Sequence, residues 1–212
     1  MKKSSLRWLE RALLVVALLC LGAWAYAWLD ARYAQYREGK LLDEAADVRP
    51  PASVASETDA LETFRDARGR SGPAPEGTLV GRIEIPRLGV SAIVLEGIGK
   101  KTLRRGVGHI PETPLPETGG NVGLAAHRDS FFRELKDIRK NDIITLKTLE
   151  GTYEYRVEWT RIVQPEDVEV LAGTGAPALT LVTCYPFYYV GSAPERFIVR
   201  AVRTEEQAAS GP

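Results

Sequence analysis

The sequence predicts a mainly β domain, a closed or nearly closed antiparallel barrel, behind an N-terminal apolar segment and a linker. Three observations carry this expectation. Past Pro75 the apolar residues recur with a period of two. About seven or eight such short runs fit within a span of ordinary domain size, while helical character is confined to 101–105 and 131–138. That spacing favours a barrel over a layered α/β fold.

Residues 12–29 form an apolar run close to the ~20 residues a helix needs to span a bilayer. Lys2, Lys3, Arg7 and Arg11 precede it, and Asp30 with mixed charges follows. Positive charge on the N-terminal flank holds that end in the cytoplasm and sends the rest of the chain outside. Ala23-Trp24-Ala25 and Ala25-Tyr26-Ala27 also fit the small-x-small pattern of a cleaved signal peptide. A retained single-pass membrane anchor over 1–29 is favoured: the run exceeds the ~7–15-residue apolar core of a signal peptide, and Trp24, Tyr26 and Trp28 suit an interfacial belt. Both readings place the remaining chain outside the cytoplasm.

Residues 30–48 are charged and rich in helix formers, with Tyr33, Tyr36 and Leu41 at helical spacing, which predicts a short juxtamembrane helix. Arg49-Pro50-Pro51 ends it. The stretch to residue 76 reads as linker with one helical turn around 60–67, so 30–76 is expected to be a tether. Strands follow at 78–85 and, after the turn Pro86-Arg87-Leu88-Gly89, at 90–95; then at 122–127 and 143–147. The clearest is 152–160, where Tyr153, Tyr155, Val157 and Trp159 alternate with Glu154, Arg156 and Glu158 behind the turn Leu149-Glu150-Gly151. Runs at 178–184 and 195–203 complete a domain over 77–204, and 205–212 reads as a disordered tail.

Lysine plus arginine equals aspartate plus glutamate at 28 each, giving a net charge of zero with two histidines. No basic excess points to nucleic acid. Cys20, Cys184, His109 and His127 lack zinc-ligand spacing, so no metal or other cofactor is called for. Cys20 lies inside the apolar run and follows Leu19 rather than the small residue a lipoprotein signal needs. Topology separates it from Cys184, leaving the latter a free thiol outside the cytoplasm, where an unpaired cysteine is more often functional than decorative.

Thr180-Leu181-Val182-Thr183-Cys184 carries that thiol to the C-terminal end of a strand. If 178–184 pairs antiparallel with 195–203, Arg196 faces Cys184. Of the histidines, His127 ends the run from Asn121 to Ala126, whereas His109 sits in the loop Gly106-Val107-Gly108-His109-Ile110-Pro111, where a structural role is commoner. Cysteine, histidine and arginine make an acyl-transfer set: both cations favour thiolate, the histidine protonates a leaving amine, and the guanidinium donates to a developing oxyanion. On spacing alone, a buried structural cysteine, a core-edge histidine and a surface arginine stand equally well.

The run ending in Cys184, Arg196 followed by Phe197-Ile198-Val199, and Ala126-His127-Arg128-Asp129 upstream resemble the sortase family, cysteine transpeptidases that attach surface proteins to cell envelopes or join pilins. The resemblance covers about 77–202. Arg82-Ile83-Glu84-Ile85-Pro86-Arg87-Leu88-Gly89, Gly108-His109-Ile110-Pro111 and the Cys184–Gly191 stretch are most similar to class D. It implies a sortase-like barrel with Cys184 as nucleophile, His127 as general acid and base, Arg196 as the cation at the substrate carbonyl, and Thr183 as substrate-positioning. Ala126 departs from the family's more frequent glycine, so its methyl must fit beside the active strand.

The resemblance further implies attack on a Leu-Pro-x-Thr type signal at the C-terminus of a secreted protein, a thioacyl enzyme, and resolution by an amine from the envelope or another protein. Apolar residues in strands around 163–171 and 178–182 are implied to hold the Leu-Pro part. Glu166, Asp167 and Glu169 could bind calcium as in some relatives, though they read as an ordinary solvated loop. Two rival classes remain: a thiol hydrolase using the same residues, and a non-catalytic membrane-tethered β-domain. Leu115-Pro116-Glu117-Thr118-Gly119 has the form of a sorting signal within the chain, and a turn-rich connection is the expected reading.

Overall fold

The computed structural model describes residues 74–173 and 175–204, together with positions 8, 11, 13–23, 25, 29, 33, 35, 36 and 40. The expected turn at 60–67, nearly all of the linker, the tail at 205–212, and Ala12, Trp24, Tyr26 and Trp28 of the apolar run lie outside the described residues. The described positions up to Lys40 are helical, and Leu13, Leu14, Leu18 and Leu19 are exposed. Among the described residues, no helix is long and apolar enough to cross a membrane.

Eight strands close into one barrel: β1 (Leu79–Ile85), β2 (Val90–Glu96), β3 (Val107–His109), β4 (Asn121–Ala125), β5 (Ile143–Thr148), β6 (Thr152–Val163), β7 (Ala178–Tyr185) and β8 (Glu195–Arg203). Their order around the barrel is β1-β2-β3-β4-β7-β8-β6-β5, and β5 returns to β1 with Gly81 opposite Thr148. A period of two puts alternate residues inside. Ile83, Ile85, Leu124, Ile144, Leu146, Leu179, Leu181 and Val199 fill the interior, each such side chain contributing about 1.5–3 kcal/mol.

The barrel is not antiparallel throughout. β2 pairs parallel with β3, and β4 parallel with β7. A parallel pair needs a crossover; α1 (Lys100–Arg105) supplies the first. Read as a loop, Val107–His109 is a strand, so His109 ends β3. Its brevity and its glycines hid it, and those glycines have a packing cause. A Cβ on Gly106 would meet the Ile93 carbonyl oxygen at 2.7 Å, and one on Gly108 would meet that of Gly97 at 2.4 Å. β6 runs three residues beyond its predicted end, and helical character at 131–138 resolves as a 3-10 turn at Arg133–Asp137. The segment after Val163 is not strand; the β6–β7 connection carries a 3-10 turn at Val168–Leu171.

The N-terminal helical segment touches this barrel through Gln35. Its Nε2 donates to the Arg105 carbonyl at 2.8 Å, and its Oε1 accepts from the Ile93 amide at 3.0 Å. Ile93 lies just before β3 begins to pair, at Val94 opposite Val107, so the glutamine amide completes the ladder where backbone runs out. The expected tether has a fixed point.

Candidate active site

Leu179 and Leu181 of β7 enter the core with Val199 and Ala201 of β8, so alternation sends Thr180, Val182 and Cys184, with Arg196, Ile198 and Arg200, to the outer face. In the antiparallel register Cys184 stands directly opposite Arg196. The cross-strand distance of such a pair is ~5 Å between Cβ atoms, which places a guanidinium within reach of the thiol. Cys184 is a free, half-buried thiol and Arg196 is half-buried. The Arg196 Nη1 donates to the carbonyls of Ala193 and Glu195 at 3.3 and 3.0 Å, which folds its fork against the start of its own strand.

His127 arrives from β4. The parallel register sets Ala125 opposite Val182, and the next residue continues the ladder, Ala126 N donating to the Val182 carbonyl at 3.2 Å. Thr183 Oγ1 donates to the Ala126 carbonyl at 2.8 Å. Two bonds therefore tie the residue before the histidine to the two residues before the cysteine. His127 itself is exposed, and its carbonyl accepts from the amides of Ser130 and Phe132 at 3.3 and 3.2 Å, which turns the chain away after it. The Ala126 methyl is buried in the core.

Thr183, expected to position substrate, is 2 % exposed on the inward side of β7 and bonds Ala126. What it positions here is the backbone beside His127. His109 is buried with its Nδ1 2.8 Å from Glu96 Oε2, while its Nε2 faces Thr113 Oγ1 and the Pro114 carbonyl at 3.2 and 3.3 Å. These contacts join the ends of β2 and β3 to the segment leading into β4.

Sequence reasoning passed over two features of the site. Arg128 Nη2 donates to the carbonyls of Tyr189 and Gly191 at 2.8 and 3.1 Å, and the guanidinium carbon lies 5.7 Å from the Tyr189 ring centroid. It clamps the β7–β8 loop beside His127, while its buried Nη1 has no partner among the described residues. Beneath the same loop Phe187 packs edge-on against Phe197, with centroids 5.2 Å apart. The second feature is Arg200, 3 % exposed although it belongs to the outer face; burial holds its guanidinium below the ordinary arginine value. An arginine inside the apolar run 197–201, four residues after Arg196, was the available signal.

Glu166, Asp167 and Glu169 form part of the β6–β7 connection, where Asp167 Oδ2 accepts from the Gln164 amide at 2.9 Å. Among the described residues, no group of three or more His, Cys, Asp or Glu is arranged to hold a metal ion.

The family model for the Sortase domain matches residues 83–204. The chain is 34% identical to Sortase D of Bacillus subtilis over 139 residues, which are 65% of this chain and 70% of that protein. It is 33% identical to Sortase A of Bacillus anthracis over 110 residues, 50% of this chain and 52% of that one. Among solved structures, a Clostridium perfringens sortase C with the C-terminal cell wall sorting motif aligns with a TM-score of 0.61 at 25% identity, over 80% of this chain and 98% of the other. A Clostridium perfringens sortase D5 transpeptidase shares the fold, with a TM-score of 0.61 at 21% identity over 82% and 98%.

Proposed function

This chain belongs to the sortase family, and from that premise we propose that it is a membrane-anchored, class D-like cysteine transpeptidase with Cys184, His127 and Arg196 as its catalytic residues. One observation carries the reading: β7 and β8 hold Cys184 opposite Arg196 while β4, paired with β7, delivers His127 at the same end of the barrel.

The substrate is a Leu-Pro-x-Thr type segment near the C-terminus of a secreted protein. The Cys184 thiolate attacks the threonine carbonyl carbon, and Arg196 donates hydrogen bonds to the oxygen as it gains negative charge. His127, protonated beforehand, gives its proton to the departing amine nitrogen; the carbon–nitrogen bond breaks and a thioester to Cys184 remains. An acceptor amine from the cell envelope or another protein then attacks the thioester. His127 takes its proton, the carbon–sulfur bond breaks, and an amide forms. The apolar run at 12–29 keeps the barrel at the outer surface of the membrane, within reach of both partners.

Intact-mass analysis of the full chain incubated with a Leu-Pro-Glu-Thr-Gly peptide tests this. The expected result is an adduct on Cys184 that an added oligoglycine amine converts into a ligated peptide. Adducts resolved by water alone, whatever the amine, would make the chain a hydrolase; absence of any adduct would remove the catalytic reading.

A further inference from the structure

The face that carries Cys184 and Arg196 carries a second row of side chains four residues further along each strand. Thr180 on β7 and Arg200 on β8 stand opposite one another, as Cys184 and Arg196 do, and Gly123 of β4 flanks Thr180. Asn121, two residues before that glycine, shares its face. All three polar residues are buried: Thr180 is 0 % exposed, Asn121 1 % and Arg200 3 %. They form a directed relay. Arg200 Nη1 donates to Thr180 Oγ1 at 2.9 Å, and Thr180 Oγ1 donates to Asn121 Oδ1 at 2.8 Å. Asn121 Nδ2 then donates to the carbonyls of Val170 and Ala172 at 3.3 and 3.4 Å. Arg200 Nη1 reaches the same Val170 carbonyl at 3.3 Å.

Val170 belongs to the 3-10 turn of the β6–β7 connection, so three strands hold that turn against the outer face. An exposed loop needs no such attachment, and burying an arginine is costly unless its hydrogen bonds are met. The spacing gives the attachment a use. Four residues of extended strand cover ~13 Å, which is the length of four residues of an extended peptide. A donor whose first residue is acylated to Cys184 and which runs back along the face would have its fourth residue three spacings, ~10 Å, away, one position short of the Asn121–Thr180–Arg200 row.

We propose that Arg200, through Thr180 and Asn121, is a positioning residue that fixes the β6–β7 connection as the wall and end-stop of the acyl-donor groove. It sets the affinity for the donor without taking part in the chemistry at Cys184. This inference rests on the transpeptidase reading.

The test uses the full chain with Arg200→Met, Arg200→Lys and Thr180→Val. Three quantities are read: KM and kcat for a Leu-Pro-Glu-Thr-Gly peptide at fixed amine, and the rate of Cys184 alkylation by iodoacetamide. In Arg200→Met, KM rises roughly tenfold or more, kcat stays within about twofold, and alkylation is unchanged. Arg200→Lys recovers a large part of the loss. Thr180→Val removes the middle link while keeping the shape, and gives the same pattern should Arg200→Met fail to fold. An unchanged KM in a folded variant, or a fall in kcat and alkylation alongside the rise in KM, would overturn the proposal. If the unsubstituted enzyme forms no thioester with the peptide, the transpeptidase reading fails first, and iodoacetamide alkylation separates that failure from an inaccessible thiol.

Discussion

A single hydroxyl shows how finely the site is built. Thr183 lies on the inward side of the strand that turns Cys184 outward, and its bond to the Ala126 carbonyl fixes the approach of His127. Replacing it by valine keeps the shape and leaves a buried carbonyl short of a donor, a loss of about 1–3 kcal/mol. Thr183→Val is therefore expected to melt earlier while KM for a donor peptide stays constant; a raised KM would return the hydroxyl to the substrate. Cys184→Ala is expected to abolish acylation, and His127→Ala and Arg196→Ala to lower kcat/KM by roughly a thousandfold each, in a peptide-ligation assay. Full activity in His127→Ala would overturn its assignment. Asp142 shows the same economy away from the site. Its carboxylate accepts from Arg87 Nε and Nη2 and from the Arg139 amide, and the Arg87 hydrogen bond leads in holding its pKa below the ordinary carboxylate value. A folded pKa below the unfolded one gives stability that is full above the unfolded value and is lost as pH falls through the folded one. Acid unfolding of the parent chain is thus expected to steepen below about pH 4 relative to Asp142→Asn, in melts followed by circular dichroism.

Among the elements, the segment 115–119 carries the clearest expectation. Leu115 packs against the core, Pro116 is buried, and a 3-10 turn at Pro116–Thr118 is closed by bonds from Thr118 N and Oγ1 to the Leu115 carbonyl at 3.1 and 2.8 Å. It precedes Asn121, which pairs with Ala178 at the end of β7 remote from Cys184. Attack would require this segment to unfold and thread an extended chain into another part of the barrel. Prolonged incubation of the enzyme with an amine is expected to leave its intact mass unchanged; fragments ending at Thr118 that vanish in Cys184→Ala would show otherwise. The strands facing solvent on one side were legible because alternation writes them plainly, as in Thr152–Val163. The cross-strand match of Cys184 with Arg196 was legible for the same reason, since a hairpin-like pairing fixes register. β3 was not, because three residues hold too little periodicity and both glycines resemble turn signals. The parallel pairings and the Arg200 relay were also hidden, since each depends on which strands become neighbours, and local sequence does not encode that.

At the scale of the whole molecule, a fragment beginning at Pro75 contains every strand but lacks Gln35. It is expected to fold and to keep peptide activity, while the Ile93 amide, deprived of its acceptor, exchanges with deuterium at least about tenfold faster than in the full chain. Equal protection of Ile93 in both would show that the glutamine contact does not persist in solution. The parallel seam between β4 and β7 has a further consequence, which concerns time. It joins 121–125 to 178–182, and the barrel closes only when 81–84 meets 145–148. Neither contact can form early, because each must first close a long stretch of chain, and topologies of this kind fold in milliseconds to seconds. During that interval Cys184 lacks His127, even where the local pairing of β7 with β8 has already set Arg196 opposite it. Catalytic competence is therefore the last property the chain acquires. In stopped-flow refolding, acylation by donor peptide is expected to return with the slowest major phase of tryptophan fluorescence, and its return before that phase would show that the seam forms first.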